Sequence, residues 1–182
     1  MIPRPQYCTV CWKVFTALFK AKKTLTQVAA LPFVEPQTGI EVLLIVSRRR
    51  KRWISPRGWP VDGMSFAATA AREAEEEAGV HGPIDDVAIG AYQYKKRTGT
   101  GYRVPCEVLV YPLRATHQNI VGPEKTEREI RWCDLETAAS LVKHDGLAAT
   151  LDDLVRSPET LVKLVGITTK HGSQASQKQP QV

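Results

Sequence analysis

The sequence lacks a long apolar run, and no uninterrupted stretch reaches the roughly 18 residues that a membrane-spanning helix requires. Near the N-terminus the segment YCTVCWKVFTALF is interrupted by Lys13, and no small-residue cleavage site follows it. We therefore expect no transmembrane segment and a retained N-terminus. Its apolar residues have the spacing of a short amphipathic helix, which could pack on the body, on a membrane surface or on a partner.

Cysteine is also scarce. Of the four cysteines, only Cys8 and Cys11 are closely spaced, while Cys106 and Cys133 stand alone in apolar runs. A zinc site needs further cysteines or histidines at matching spacing, and a redox CxxC normally adjoins a βαβ pattern. The sequence therefore predicts neither a zinc site nor a disulfide framework, and reduced thiols favour a cytoplasmic localisation.

What is present is the composition of an ordinary globular protein, with 43% apolar and 24% charged residues in a chain of 182. This length suits one domain, since single domains commonly have about 100 to 200 residues. We expect a basic N-terminal extension at residues 1–24, a folded domain at 25–165 and a flexible tail at 166–182. A net charge of +6 predicts attraction to anions. The sequence does not determine the oligomeric state, and a homodimer is one of the alternatives.

Hydrophobic alternation and turn residues predict strands on both sides of one central helix. The expected strands are 27–34, 40–46, 53–55, 84–94, 104–113 and 130–133. The expected helices are 66–78, 134–142 and 147–155, with a weaker signal in PETLVKLV. Because regular βαβ alternation is missing, this order predicts an α+β fold rather than a doubly wound parallel sheet.

The central helix ends in REAEEEAGV, which places three carboxylates, Glu73, Glu76 and Glu77, on one side of the helix. Alanines form a separate stripe that would let the helix lie close to a sheet. Gly79 predicts the helix stop, so the carboxylates crowd the negative end of the helix dipole. Arg72 can neutralise only part of this charge.

Two explanations remain for the acidic cluster. The first is a solvated acidic face, which is the usual meaning of consecutive glutamates. The second is a divalent cation, because Mg²⁺ and Mn²⁺ prefer carboxylate oxygens and would remove the repulsion.

The flanking residues favour the cation. A glycine loop, an alanine-rich helix and the acidic segment closed by glycine together resemble the signature of the Nudix hydrolases. The matching positions are Gly58, Arg72, Glu73, Glu76, Glu77 and Gly79. One position departs: Met64 stands where the family has a glutamate that usually supports the metal cluster and its arginine.

The resemblance implies an α/β/α sandwich with a mixed central sheet, and a loop and helix that form the catalytic unit. It implies Mg²⁺- or Mn²⁺-dependent hydrolysis of a phosphoanhydride bond, with Glu76 and Glu77 as metal ligands and Glu73 as a third ligand or the base. In some members of the family the backbone carbonyl at the position of Arg57 adds a ligand. Others use a carboxylate from a late loop, for which we favour Glu127.

Two basic segments lie outside this signature, SRRRKRW before the glycine loop and KKRTGTGYR further along. They could be solvated hairpin tips, or they could bind phosphates, since arginine pairs with phosphate bidentately and lysine acts as a point charge. The candidate substrate-binding residues are Arg48, Arg50, Arg52, Arg57, Lys95, Arg97 and Arg103. The cations before the WISPRG run look similar to the diphosphoinositol polyphosphate and diadenosine polyphosphate branch of the family.

The sequence therefore predicts a hydrolase of a small, highly phosphorylated substrate, with no nucleic-acid partner. The alternative function is a nucleotide- or RNA-binding module with the same fold and no catalysis, in which the basic tips together with Trp53, Trp59 and Tyr102 serve binding alone.

Overall fold

The computed structural model describes residues 24–97, 99, 101–119 and 128–163. Its strands are β1 (Leu25–Val34), β2 (Glu41–Val46), β3 (Trp53–Ile54), β4 (Arg57–Gly58), β5 (Val80–His81), β6 (Gly90–Arg97), β7 (Arg103–Arg114), β8 (His117–Gln118) and β9 (Ile130–Asp134). Its longer helices are α1 (Phe66–Ala78), α2 (Leu135–Leu141) and α3 (Asp145–Arg156).

The described strands form one mixed sheet of seven strands and a small second sheet. The main sheet has the order β3-β2-β1-β7-β6, and β4 also pairs with β1 while β9 pairs with β2. Strands β1 and β7 are parallel, whereas the other pairs of the main sheet are antiparallel. The mixed central sheet expected from the sequence is confirmed.

Helices cover both faces of the main sheet and enclose two apolar cores. Along β1 the side chains alternate, so that Val28 and Ala30 join the core under α1 while Leu31 and Phe33 join the core under α2 and α3. The alanine stripe of α1 lies in the first of these cores, as the sequence predicts, because small side chains let the helix approach the sheet closely. The architecture is an α+β sandwich of helix, sheet and helix layers.

One strand prediction is wrong in its bounds. The expected strand 84–94 begins only at Gly90 and continues to Arg97. Ile84 makes an isolated bridge with Leu113, and the Asp85 carboxylate then accepts a hydrogen bond from the Val87 N–H at 2.8 Å. This local side-chain contact turns the backbone away from the strand ladder near Asp85. The backbone rejoins the ladder at Gly90.

Three short strands escape the sequence-based prediction. Strand β4 pairs with β1, opposing Gly58 to Val28, and β5 pairs with β8 in the second sheet. Each is only two residues long. Periodicity cannot identify such short strands, because two residues contain no repeat.

Little of the two termini falls within the described residues. The CxxC segment, almost all of the N-terminal extension and the 166–182 tail lie outside them, so those predictions stay predictions. The weak helix signal PETLVKLV is partly described: residues 159–163 are helical and Leu161 is fully buried. Within the described residues no helix is long and apolar enough to cross a membrane.

Helix α3 approaches β6 closely at Gly146, which lies against Tyr92 of the strand. A Cβ added to Gly146 would lie 2.5 Å from the Cβ of Tyr92. At that distance the helix or the strand must move. The close contact between α3 and β6 therefore requires a residue without a side chain at position 146.

We expect Gly146→Ala to lower the free energy of unfolding, because overpacking costs about 1 to 3 kcal/mol. Helix propensity alone would favour alanine by about 1 kcal/mol, so the two effects have opposite signs. Urea unfolding measures the balance. The exposed residue Asp152 provides a control on the same helix, since Asp152→Ala should leave stability unchanged or raise it. A more stable Gly146→Ala protein would contradict the close packing of α3 on β6.

Candidate active site

Helix α1 presents the acidic cluster in a fixed position because both of its ends are capped. The Ser65 side chain accepts a hydrogen bond from the Ala68 N–H at 3.1 Å, which starts the helix. Gly79 adopts a left-handed conformation with φ of 68°, and its N–H reaches the Ala74 and Glu75 carbonyls. The last turn therefore holds Glu76 and Glu77 just before a defined stop.

Glu77 is the most buried of the three carboxylates, and two donors hold it. Its Oε2 accepts a hydrogen bond from the Arg57 backbone N–H at 3.1 Å. Its Oε1 accepts one from the Arg128 guanidinium at 2.5 Å, and both side chains of this ion pair are about one-tenth exposed. Glu77 is therefore a buried, charge-compensated carboxylate.

Glu76 lies on the solvent side of the same turn. It forms an ion pair with Arg72, four residues earlier, with 2.6 Å between Nε and Oε1, and both side chains are about half exposed. Met64, which stands where the family has a glutamate, is 37% exposed in the loop before Ser65. No carboxylate is available at position 64 to pair with Arg72, and Glu76 serves as its partner.

Glu73 is half-buried beneath the glycine loop. Burial, together with the charges of Glu77 and Glu76, raises the pKa of Glu73 to about 7. A Cβ on Gly58 would lie only 1.8 Å from the Glu73 Oε1 atom, so only glycine allows the loop backbone to approach so closely. The glycine of the signature is thus explained by contact with a carboxylate of the same signature.

The three carboxylates affect one another electrostatically but do not converge as a ready-made ligand set. Within residues 24–97, 99, 101–119 and 128–163, no three His, Cys, Asp or Glu side chains are close enough together to hold a metal ion. Their chemistry nevertheless fits a hard divalent cation, because they offer only oxygen donors and because a cation would relieve the repulsion that raises the Glu73 pKa.

Arg57 connects this cluster to a neighbouring cavity. Its backbone N–H holds Glu77, while its side chain extends away and donates a hydrogen bond from NH1 to the Tyr92 hydroxyl at 2.8 Å. The guanidinium also lies 4.8 Å from the ring centre of Tyr94. The backbone and side chain of one residue therefore contact the acidic cluster and the cavity wall.

The cavity has a volume of about 700 Å³ and is lined mainly by cations. Both basic segments singled out from the sequence contribute to it. Its lining residues are Ser47, Arg48, Arg49, Arg50, Arg52, Trp53, Ile54, Arg57, Tyr94, Lys96, Arg97, Arg103, Lys143 and His144. None of these described lining residues is acidic, so the cavity suits a polyanion.

Six of the seven candidate substrate-binding residues lie in this lining, and Lys95 does not. Lys95 is exposed, whereas its neighbour Lys96 is partly buried and lines the cavity. The sequence-based prediction also omitted Arg49, Lys143 and His144. Tyr92, Tyr94 and Lys96 occupy every second position of β6, and this period of two could have identified the more buried face of the strand.

Two of the lining residues have weakened basicity. Burial is the main cause that lowers the pKa of Lys96, and the ammonium lies 4.0 Å from the ring centre of Trp59. Burial, followed by the charge of Arg57, lowers the pKa of His144, whose ring packs at 4.7 Å from that of Tyr92. Among the described residues the His144 Nδ1 atom has no hydrogen-bond partner. Both groups lie in a field of other positive charges.

Two sequence-based assignments have a different status. Glu127 lies outside the described residues, so its assignment as a ligand stays a prediction. The ligand role of the Arg57 carbonyl also stays a prediction, although the pairing of β4 with β1 fixes the backbone there. Arg128 was missed: it follows Glu127 directly, and only its position just before a predicted strand marks it in the sequence.

A mixed sheet lies between helical layers, and a glycine loop packs against the helix that carries Glu73, Glu76 and Glu77, with a cationic cavity beside it. The chain belongs to the NUDIX domain family, whose model matches residues 24–155.

Similar proteins agree with this family. The chain is 28% identical to Nudix hydrolase 12, mitochondrial, of Arabidopsis thaliana over 66% of this chain and 61% of that protein. It is 30% identical to Nudix hydrolase 16, mitochondrial, of the same plant over 72% of this chain and 76% of that protein. The alignments with Nudix hydrolases 12 and 13 thus span less than two thirds of those relatives.

A solved structure of C. elegans Ap4A hydrolase has a similar fold. It has a TM-score of 0.53 and 16% identity, and it covers 73% of this chain and 97% of that one. At this identity the likeness concerns the fold.

The raised pKa of Glu73 predicts a pH dependence of stability in the metal-free protein. A carboxyl with a raised pKa in the folded state contributes stability at low pH, and this contribution is lost as pH rises from about 4.5 to about 7. Since Glu73 is half-exposed, solvent screening limits the effect to about 1 kcal/mol. Glu73→Gln should therefore stabilise the metal-free protein more at pH 8 than at pH 5.

Thermal unfolding in the presence of a chelator at the two pH values measures this difference. Glu136→Gln is the control, because Glu136 is an exposed glutamate of helix α2. Equal changes in melting temperature at pH 5 and pH 8 for Glu73→Gln would contradict the raised pKa.

Proposed function

We propose that the chain is a metal-dependent Nudix pyrophosphohydrolase that cleaves a phosphoanhydride bond in a small, highly phosphorylated substrate. A diphosphoinositol polyphosphate or a dinucleoside polyphosphate fits this description. The observation that carries the proposal is the cationic cavity beside the acidic helix, joined to it through Arg57.

The acidic cluster provides the hydrolytic end of the site. Glu76 and Glu77 would hold Mg²⁺ or Mn²⁺, which when bound neutralises phosphate charge and acidifies water. Glu73 serves either as a third ligand or as the base. The raised pKa of Glu73 in the metal-free protein would fall when the cation binds, because the cation offsets the charges of Glu77 and Glu76. The Arg57 N–H keeps one oxygen of Glu77 oriented.

The cavity provides the binding end of the site. Arginine guanidinium groups can pair with two phosphate oxygens at once, and several of them line the walls. A polyphosphate would draw more from such a lining than a simple nucleoside diphosphate, because each added phosphate finds another cation. The ring of Trp53 and the ring of Tyr94 add flat apolar surface that also suits a nucleobase.

The similar C. elegans protein is an Ap4A hydrolase, and that activity supports the dinucleoside polyphosphate alternative for this chain only as an analogy of fold. Cytoplasmic localisation stays a prediction, and the names of two relatives assign those proteins to mitochondria. A small-molecule substrate without a nucleic-acid partner is likewise part of the proposal.

The first test is hydrolysis of a panel of nucleotides, dinucleoside polyphosphates and inositol pyrophosphates with and without Mg²⁺. We expect metal-dependent release of phosphate or nucleotide, and we expect Glu76→Gln to lose about a hundredfold or more in kcat, because a lost metal ligand forfeits several kcal/mol of charge stabilisation. Glu76 is exposed, so the variant should fold. The control Glu75→Gln removes the same charge from the same helix turn.

Metal-independent activity, or equal losses in Glu76→Gln and Glu75→Gln, would contradict the assigned role of the cluster. Binding of the substrates without any hydrolysis would favour the alternative function, a non-catalytic binding module.

A second test uses two adjacent lysines as a matched pair. Lys96→Gln should raise KM for a highly phosphorylated substrate about tenfold or more, since a charge-assisted contact contributes about 1.5 to 3 kcal/mol. Lys95→Gln removes the same charge on the opposite face of β6 and should change KM much less. The effect of Lys96→Gln should shrink for a substrate with fewer phosphates.

Equal increases in KM for both lysine variants would show that β6 acts only through general electrostatic attraction. No change in either variant would remove β6 from substrate binding.

A further inference from the structure

The partner of Glu77 is an unexpected feature of the site. Arg128 lies just before β9, 51 residues from Glu77 in sequence, and its NH2 group is 2.5 Å from the Glu77 Oε1 atom. The Arg128 side chain is 9% exposed and that of Glu77 10%. A charged pair at this depth loses most of its hydration, so each partner depends strongly on the other.

The surrounding contacts show that Arg128 is held mainly by this carboxylate. Among the described residues its buried Nε atom has no hydrogen-bond partner. Glu77 is held differently, because its second oxygen accepts the Arg57 N–H at 3.1 Å. If Arg128 withdrew, Arg57 would still orient Glu77, whereas Arg128 would lose the contact that fixes its charged end.

The acidic cluster is therefore compensated from within the chain. Arg72 pairs with Glu76, and Arg128 pairs with Glu77. A second cation at Glu77 would be repelled by the guanidinium that is already there. The guanidinium and a divalent cation would therefore compete for the negative charge of this carboxylate.

We propose that Arg128 is an internal counter-ion that occupies Glu77 in the metal-free protein and must release it before a divalent cation binds. Arg128 is thus a positioning residue that sets the affinity for metal. This inference deepens the proposed function and rests on its metal dependence. It concerns metal binding without substrate, so it can be tested separately from hydrolysis.

The experiment titrates the full, chelator-treated chain with Mn²⁺ in the absence of substrate and measures free Mn²⁺ by electron paramagnetic resonance. Arg128→Gln keeps a hydrogen-bond donor beside Glu77 but removes the competing charge. We expect it to tighten the Kd for Mn²⁺ about tenfold, which corresponds to about 1.4 kcal/mol. The control is Arg131→Gln, which removes the same charge from an exposed residue of β9 and should change Kd by less than about twofold.

A second variant guards against a folding defect. Arg128→Lys keeps the positive charge but replaces the rigid fork with a single point charge, so we expect a Kd between those of the wild type and Arg128→Gln. The melting temperature supplies another readout: without metal it should fall in Arg128→Gln, and Mn²⁺ should raise it by more than in the wild type.

An unchanged or weaker Mn²⁺ affinity in folded Arg128→Gln and Arg128→Lys would overturn the inference. So would an equal tightening in Arg131→Gln, because the effect would then be one of net charge. Absence of Mn²⁺ binding in every protein would overturn both this inference and the proposed metal dependence. Tight Mn²⁺ binding by a wild type that hydrolyses none of the panel would overturn the proposed function alone.

Discussion

The site depends on one contact, the approach of the β4 backbone to helix α1. Gly58 lies so near Glu73 that a side chain on the glycine would overlap the carboxylate, and the adjacent Arg57 N–H holds Glu77. Pairing of β4 with the central strand β1 fixes this backbone, and β1 itself is buried in both cores. The carboxylates therefore take their position from the centre of the sheet rather than from the surface.

The same contact brings two opposite electrostatic environments together. On one side of Arg57 lie the glutamates of α1, and on the other lies a cavity lined with arginine and lysine. A phosphate chain in the cavity would be attracted along its length and repelled at the helix. In the proposed hydrolysis, a bound cation would remove the repulsion between the phosphate chain and the carboxylates of α1.

The local parts of this arrangement were predictable from sequence. Helix α1 has the bounds expected from its alanine stripe and its closing glycine, because both signals lie within the helix. The two basic segments were recognised, although only the register of β6 decides that Lys96 rather than Lys95 faces the cavity. The break near Asp85 was missed because a single side-chain hydrogen bond outweighed an apolar pattern.

The long-range parts were not predictable. From the sequence, Arg72 was the only cation near the carboxylates, so the cluster was interpreted as uncompensated unless a metal was bound. Arg128 changes this interpretation, since it reaches Glu77 from a distant segment that no local pattern connects to the helix. Periodicity and spacing describe one element at a time, whereas this pair depends on how β9 joins the sheet beside β2.

The two ion pairs of the helix have different consequences because they differ in burial. The Arg72 pair with Glu76 is half-exposed, so water and salt can replace either partner readily. The Arg128 pair with Glu77 is shielded, and removing one member of such a pair typically costs about 3 to 5 kcal/mol because the other is left buried and charged. Breaking the contact at Glu77 should therefore cost the metal-free protein much more stability than breaking the one at Glu76. The sequence assigns charge compensation to the neighbouring Arg72, whereas at the most buried carboxylate of the helix it is carried by the distant Arg128.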